Sequence, residues 1–350
     1  MTTQAQSLNP APRWILFFVL AAVGLAYVKW LPYWDKAFVA AAKHSIGASI
    51  LMGKAAQAPA PSWDAALGYA MAYGKAIWKA LVLGLLLGSG VQALLPPDWV
   101  ARVLGKARFG SALAGGLLAV PGMMCTCCAA PVVIGLRRQQ ASAGGALAFW
   151  LGNSVLNPAT LVFTGFVLGW RWTALRLVLG VAMVFGLSWL ANRLTSAREA
   201  AQAEAAIAAL PTAPQQAPFR RWLSILGRMS LWLVPEYLVL VLLLGAARAW
   251  LFPAIGPDIG NHALWIVAFA LAGALFVIPT AGEVPIIQAM MNLGVGAGPA
   301  GALLMTLPPI SLPSMAMLGR SFPPRILAMV AGGVVLFGLM AGGLAISLGF

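Results

Sequence analysis

Charge is what this sequence has least of. Among 350 residues, Asp and Glu number 8 and Lys and Arg 22, so 9% are charged while 61% are hydrophobic. Soluble domains average about 25% charged residues, and a chain this poor in charge has no water-facing surface to offer. Three runs, 109–136, 139–170 and 326–350, hold no charge at all. Each is longer than the ~20 residues a helix needs to cross a bilayer. The runs are also continuous rather than alternating, which excludes a transmembrane β-barrel.

Other shortages exclude further classes. The three cysteines, Cys125, Cys127 and Cys128, fall within four residues, which is no disulfide framework. The two histidines, His44 and His262, stand alone near span ends and make poor metal ligands. No GxxxxGK[ST] phosphate loop is present, so the chain carries no ATPase of its own. The formal charge of +14 has no dense basic block behind it. Its Lys and Arg sit between apolar runs, as the positive-inside rule expects, and nucleic acid is not an expected partner. The apolar stretch 14–28 lacks a small-residue cleavage site and reads as a retained first span.

What is present points to an all-α, polytopic transmembrane bundle. Tryptophans mark the ends of several spans, as interfacial belts do. Nine crossings are expected near 14–31, 76–96, 109–136, 143–169, 173–192, 225–248, 263–290, 297–318 and 326–348. The organisation expected is an N-terminal helix over 1–31, then a loop over 32–75 with an interfacial amphipathic helix. A first permease half follows over 76–195, an Ala/Pro/Gln-rich surface linker over 196–218 and a second half over 219–350. The halves share words in the same order. AAPVVIGL lies over EVPIIQAM with Pro131 matching Pro285, and LNPATL lies near SLPSMAML with Pro158 matching Pro313. Paired broken helices in a repeat point to a transporter site near the bilayer midplane.

The chemistry concentrates in PGMMCTCCAAP, 121–131. Proline removes a backbone donor and disrupts the helix behind it, so two prolines ten residues apart favour an unwound stretch. Irregular backbone at membrane depth must be buried in protein or line a wet cavity, and three thiols there can converge. Thiolates prefer soft partners, among them trivalent arsenic and the sulfane sulfurs that exchange with thiols. Glu283 is the one charged residue from 263 to 319, and an intramembrane carboxylate is a functional candidate by default. It could bind a proton, counter a cation or cap a half-helix; Glu236, after Pro235, is a second, weaker proton-coupling candidate. Asn157 precedes the mid-span Pro158 among Asn153 and Ser154, with Thr306 and Ser311 in corresponding positions of the second half. Arg137 and Arg138 end the cysteine helix, as topological anchors or as a vestibule for an anion. Gly84xxxGly88 and Gly338xxxGly342 read as helix-packing motifs.

These residues, with FVIPTAGEVPIIQAMMNLG and LLMTLPPISLPSMAML in the second half, resemble the ArsP-type permease family and within it the YraQ-like branch of bacterial inner-membrane proteins. The resemblance implies a permease of two related halves, and some family members export trivalent organoarsenicals. The family's Cys-x-Cys word falls on Cys125 and Cys127, and Cys128 stands where a Gly often follows. The expected function is a secondary transporter, an exporter, of a small thiophilic solute such as a trivalent organoarsenical or a thiol or persulfide species. It is expected to need no cofactor and to be no enzyme. A transmembrane thiol–disulfide relay enzyme and a metal-ion permease are the alternatives.

Overall fold

The structure, a computed structural model, describes residues 11–51, 58–195, 218–252 and 256–350. The linker expected over 196–218 lies outside them, apart from the residue that opens α10. Every regular element described is helical. The first helix, α1 (Ala11–Leu25), runs through a π-helical turn, Ala26–Trp30, into α2 (Leu31–Lys43). It does not stop at Trp30 but runs on to Lys43, taking in the first part, 37–43, of the segment 37–52 expected as an interfacial helix. The long α3 (Trp63–Leu94) starts thirteen residues ahead of its expected span, where Ser62 accepts a hydrogen bond from the Ala65 amide at 3.0 Å, a normal N-cap.

The first part continues with α4 (Pro97–Val100), α5 (Phe109–Ala119), α6 (Thr126–Arg138), α7 (Ala143–Val155), α8 (Pro158–Val167) and α9 (Trp170–Leu194). The second comprises α10 (Pro218–Leu251), α11 (Ala263–Leu275), α12 (Glu283–Asn292), α13 (Ala297–Thr306), α14 (Leu312–Leu318) and α15 (Pro324–Ser347). By length and composition, 6 helices among the described residues can cross a membrane, or 7 if the bent pair Pro97–Gly105 and Phe109–Gly122 is one span. That is fewer than the nine expected. Four runs read as single crossings are interrupted: 109–136 at 120–125, 263–290 at 276–282, 297–318 at 307–311, and 143–169 at 156–157, the last remaining one span. Hydropathy is blind to these breaks, because the interrupted residues are as apolar as the helices around them.

The element α3 lies at the centre, against α1, α6 and α10, whereas most large apolar side chains of α1 remain exposed, as lipid-facing groups do. In the first part α5 packs on α7 and α7 on α9; in the second α11 packs on α13 and α13 on α15. Contacts between the parts are reciprocal: α6 meets α14, α12 meets α8, and α9 meets α15.

Close helix approach is bought with glycine. A Cβ at Gly84 would collide with the Cys128 carbonyl, and one at Gly88 with the Pro131 carbonyl, so this pair lets α3 lie directly on the cysteine helix. Gly342 likewise meets the Gly298 carbonyl on α13. Both motifs therefore pack helices, as small residues do in membranes. An exposed helical Gly→Ala change normally gains about 1 kcal/mol of propensity, whereas overpacking costs about 1–3 kcal/mol. Gly88→Ala is expected to lower the melting temperature of the detergent-solubilised protein. Gly186→Ala, where nothing lies within 4 Å of an added Cβ, should leave it equal or higher. Equal behaviour of the two variants would refute the contact.

Candidate functional site

The cysteine segment opens at the bend 120–122, after which Met123 takes a left-handed backbone conformation (φ 48°) and Cys125 becomes the N-cap of α6. A bulky L-residue in that region is strained, and such strain persists only where the surroundings enforce it. Here they do. The Trp30 indole donates to the Pro121 carbonyl at 2.8 Å and the Met124 amide to Asn153 Oδ1 at 3.4 Å. The Trp150 indole donates to the Thr126 carbonyl at 3.1 Å. The second break is held in the same manner. Ala281 is left-handed (φ 65°) just before α12, and the Tyr69 and Tyr73 hydroxyls of α3 donate to the Val277 and Ile278 carbonyls. The Tyr237 hydroxyl donates in turn to that of Tyr73 at 2.6 Å. Side chains on other helices thus satisfy backbone groups that the breaks leave open, as the bilayer requires.

The three thiols do not converge. Cys125 and Cys128 are one helical turn apart on one face, and their sulfurs lie 3.0 Å from each other. Cys127 points away, toward the Ser311 hydroxyl on α14 at 3.6 Å. The pair in contact is therefore a Cys-x-x-Cys at a helix N-terminus rather than the Cys-x-Cys word, and Cys128 is what completes it. Among the described residues no group of three or more His, Cys, Asp or Glu is arranged to hold a metal.

Glu283, the first residue of α12, is buried and paired with Arg176 of α9 at 2.6 Å; the two side chains are 1% and 0% exposed. Arg176 also donates through Nε to the Val155 carbonyl at 3.1 Å and through Nη2 to Ser154 at 2.8 Å. The guanidinium closes the C-terminus of α7 while the carboxylate sits at the N-terminus of α12, each sign where the helix dipole favours it. Of the roles the sequence left open for Glu283, this geometry displays the countering of a cation. Glu283 and Cys125 line one small cavity of about 10 Å³ with Met124, Ser154, Thr160 and Thr280, about the space of a single water.

The remaining candidates are placed as follows. Asn157 caps α8, its Oδ1 accepting from the Ala159 and Thr160 amides at 3.1 and 3.3 Å, while its buried Nδ2 has no partner in the structure. Arg137 and Arg138 line a cavity of about 380 Å³ with Arg228, Arg320 and Trp232, at the opposite end of α6 from the thiols. Arg137 donates to the Ser321 and Ala141 carbonyls at 3.2 and 2.6 Å. Glu236 does not join the thiols and faces Arg320 at 3.9 Å, partly exposed.

Sequence reasoning overlooked Arg176, Lys29, Tyr69, Tyr73 and Tyr237. Arg176 looked like a topological charge at a span end, and Lys29 like the residue closing the first span. The available signal was their position: both lie inside long apolar stretches, where a cation needs a buried partner.

A family model, ArsP_1, described as a predicted permease, matches residues 66–347. UPF0718 protein YraQ of Escherichia coli (strain K12) is 52% identical over 346 residues, 98% of each chain. UPF0718 protein MJ0584 of Methanocaldococcus jannaschii is 22% identical over 336 residues, covering 76% of this chain and 90% of that one. UPF0718 protein YcgR of Bacillus subtilis (strain 168) is 27% identical over 111 residues, 31% of this chain and 38% of the other. No solved structure matches.

Removing one partner of a buried ion pair strands the other charge and costs about 3–5 kcal/mol. Arg176→Met and Glu283→Met are each expected to destabilise the protein, Arg176→Met more so because two α7 carbonyls lose their donor too. The double variant should recover part of the loss, with a coupling energy of about 0.5–3 kcal/mol in a double-mutant cycle of unfolding in detergent. Additive losses would show that the pair does not stabilise the fold.

Proposed function

The chain belongs to the ArsP_1 family of predicted permeases, and on that premise we propose that it is a secondary exporter of a small thiophilic solute. It is a multi-pass membrane protein by its apolar helices and its family. Family membership suggests a transporter rather than an enzyme, acting on a small molecule within the lipid bilayer. The observation that carries the finer reading is the Cys125–Cys128 pair, 3.0 Å apart at the open end of a broken helix and sharing a cavity with Glu283. Two adjacent thiols present two soft donors to one atom, which suits the arsenic of a trivalent organoarsenical or the outer sulfur of a persulfide such as glutathione persulfide. Asn157, with its unpartnered amide beside the cavity wall residues Ser154 and Thr160, adds a hydrogen-bond donor. Arg137 and Arg138 form the basic mouth of a separate vestibule at the far end of α6.

A two-fold repeat underlies the site in this proposal. Its support is the reciprocal packing: α6 on α14 and α12 on α8, with α5–α7–α9 matched by α11–α13–α15. Each half would then lend its broken helix to the other, and a rocking of the halves would expose the thiols to the two sides of the membrane in turn.

A second reading is favoured by the same Cys-x-x-Cys: a membrane thiol–disulfide relay, since such spacing at a helix N-terminus activates thiols. Against it, the second half contains no cysteine to pass electrons onward.

Membrane vesicles loaded with phenylarsonous acid or glutathione persulfide discriminate these. Cys125→Ala and Cys128→Ala are expected to lower flux at least tenfold, and Cys127→Ala less, because its sulfur faces Ser311 instead. Unchanged flux in all three variants refutes transport by the thiols. A relay would instead show the Cys125–Cys128 pair cycling between dithiol and disulfide with a partner, and no flux. Glu283→Gln is expected to alter the pH dependence of flux if Glu283 carries the coupling proton. An unaltered profile assigns it to the ion pair alone.

A further inference from the structure

One buried cation has no part in the site as described so far. Lys29 lies on the π-helical turn Ala26–Trp30, in a segment that precedes the family match at 66–347. It is 4% exposed. Its ammonium donates to Thr280 Oγ1 at 3.1 Å and Tyr33 Oη at 3.3 Å, and Thr280 lines the same small cavity as Cys125. The ion pairs among the described residues are Arg176–Glu283 and Arg320–Glu236, so no carboxylate neutralises Lys29. An ammonium has three donors, and two are used here. A buried charge without a counter-charge is costly, and the partners of Lys29 are the hydroxyls of Thr280 and Tyr33 and the Tyr33 ring, 5.3 Å from the ammonium.

The turn that carries Lys29 is itself unusual. π-Helical turns hold an extra residue in the helix and are frequent at functional sites. This one is fastened by the neighbouring Trp30, whose indole bonds the Pro121 carbonyl at the cysteine bend. A cavity of about 230 Å³ opens beside it, lined by Lys29, Tyr33 and Lys36. Its wall at Pro279, Thr280 and Ala281 is shared with the small cavity that holds Cys125 and Glu283.

We propose that Lys29 is the anion-recognition group of the cysteine site. The transported solute is therefore a small soft anion, a thiolate or persulfide, rather than a neutral trivalent arsenical. The proposal rests on the transport reading above and narrows its substrate class. The anion enters through the Lys29–Lys36 cavity, sets its charge against the free donor of Lys29 and accepts hydrogen bonds on its sulfur from the Cys125 and Cys128 thiols. The contact is non-covalent, so no bond is made or broken.

Methanethiosulfonate reagents of different charge test this on the purified full-length protein. The Cys125 thiolate attacks the reagent's sulfenyl sulfur, a mixed disulfide forms and methanesulfinate leaves, so mass spectrometry reads the modified cysteine directly. In the wild type the anionic sulfonatoethyl reagent is expected to modify Cys125 at least about tenfold faster than the cationic trimethylammonioethyl reagent, as an unneutralised unit charge on the route to the thiol dictates. Lys29→Met should erase that preference and Lys29→Arg should keep it. The ratio of anionic to cationic rates is independent of the thiolate fraction. The neutral methyl reagent, though slower in Lys29→Met where the thiolate loses a cation, should still modify Cys125 in all three, which shows that the fold survives the substitutions. A charge preference that Lys29→Met leaves unchanged overturns the proposal, as does a Cys125 that no reagent reaches. Failure of the transport reading looks different: flux surviving Cys125→Ala alongside an intact charge preference.

Discussion

A guanidinium and a carboxylate, shut away from lipid and water alike, hold the two parts of this chain in register. Arg176 comes from the long α9 and Glu283 from the first turn of α12, 107 positions apart in sequence. The pair does more than cancel two charges. Arg176 saturates the last carbonyls of α7, and Glu283 sits where the positive end of α12 welcomes it. Neither side chain can leave without exposing the other to an apolar interior, so the second broken helix is fixed beside the first. That fixation is what brings Glu283 and Cys125 to one cavity.

The breaks themselves follow the same rule. A bilayer tolerates an unwound segment only if its backbone groups find partners, and the partners here are aromatic side chains from elsewhere. Trp30 and Trp150 serve the first break, and Tyr69 and Tyr73 the second. Glycines at 84 and 88 then let α3 lie against the carbonyls of Cys128 and Pro131. Function and packing are inseparable in this region: the elements that make a non-helical turn affordable also decide where its thiols point.

How much of this was legible beforehand depended on range. Local signals spoke clearly. The charge-free runs gave an all-helical membrane protein, Pro121 and Pro285 marked the neighbourhood of two breaks, and the isolation of Glu283 marked it as special. Pro131 misled, because α6 starts at Thr126 and runs through it. The number of crossings did not follow, because an apolar run reads the same whether its backbone is helical or broken. The side chains that stabilise the breaks lie up to 208 positions away. The thiol geometry was half legible: three cysteines in four residues announced a site. That Cys125 would pair with Cys128 and not Cys127 came from the start of α6 at Thr126, which sets two of them on one face. Arg176 and Lys29 escaped because a basic residue in a membrane protein is first read as an anchor. Only the fold shows that one faces a carboxylate and that the other bonds Thr280, on the wall of the cysteine cavity.

The claim at the centre of this account is that Cys125 and Cys128, and not all three cysteines, form the soft binding pair. Arsenic K-edge absorption spectroscopy of the protein loaded with phenylarsine oxide counts the sulfurs around the bound arsenic directly. The structure predicts two, unchanged in Cys127→Ser and reduced in Cys128→Ser. A sulfur count that falls on loss of Cys127, or two sulfurs that survive the loss of Cys128, would contradict it.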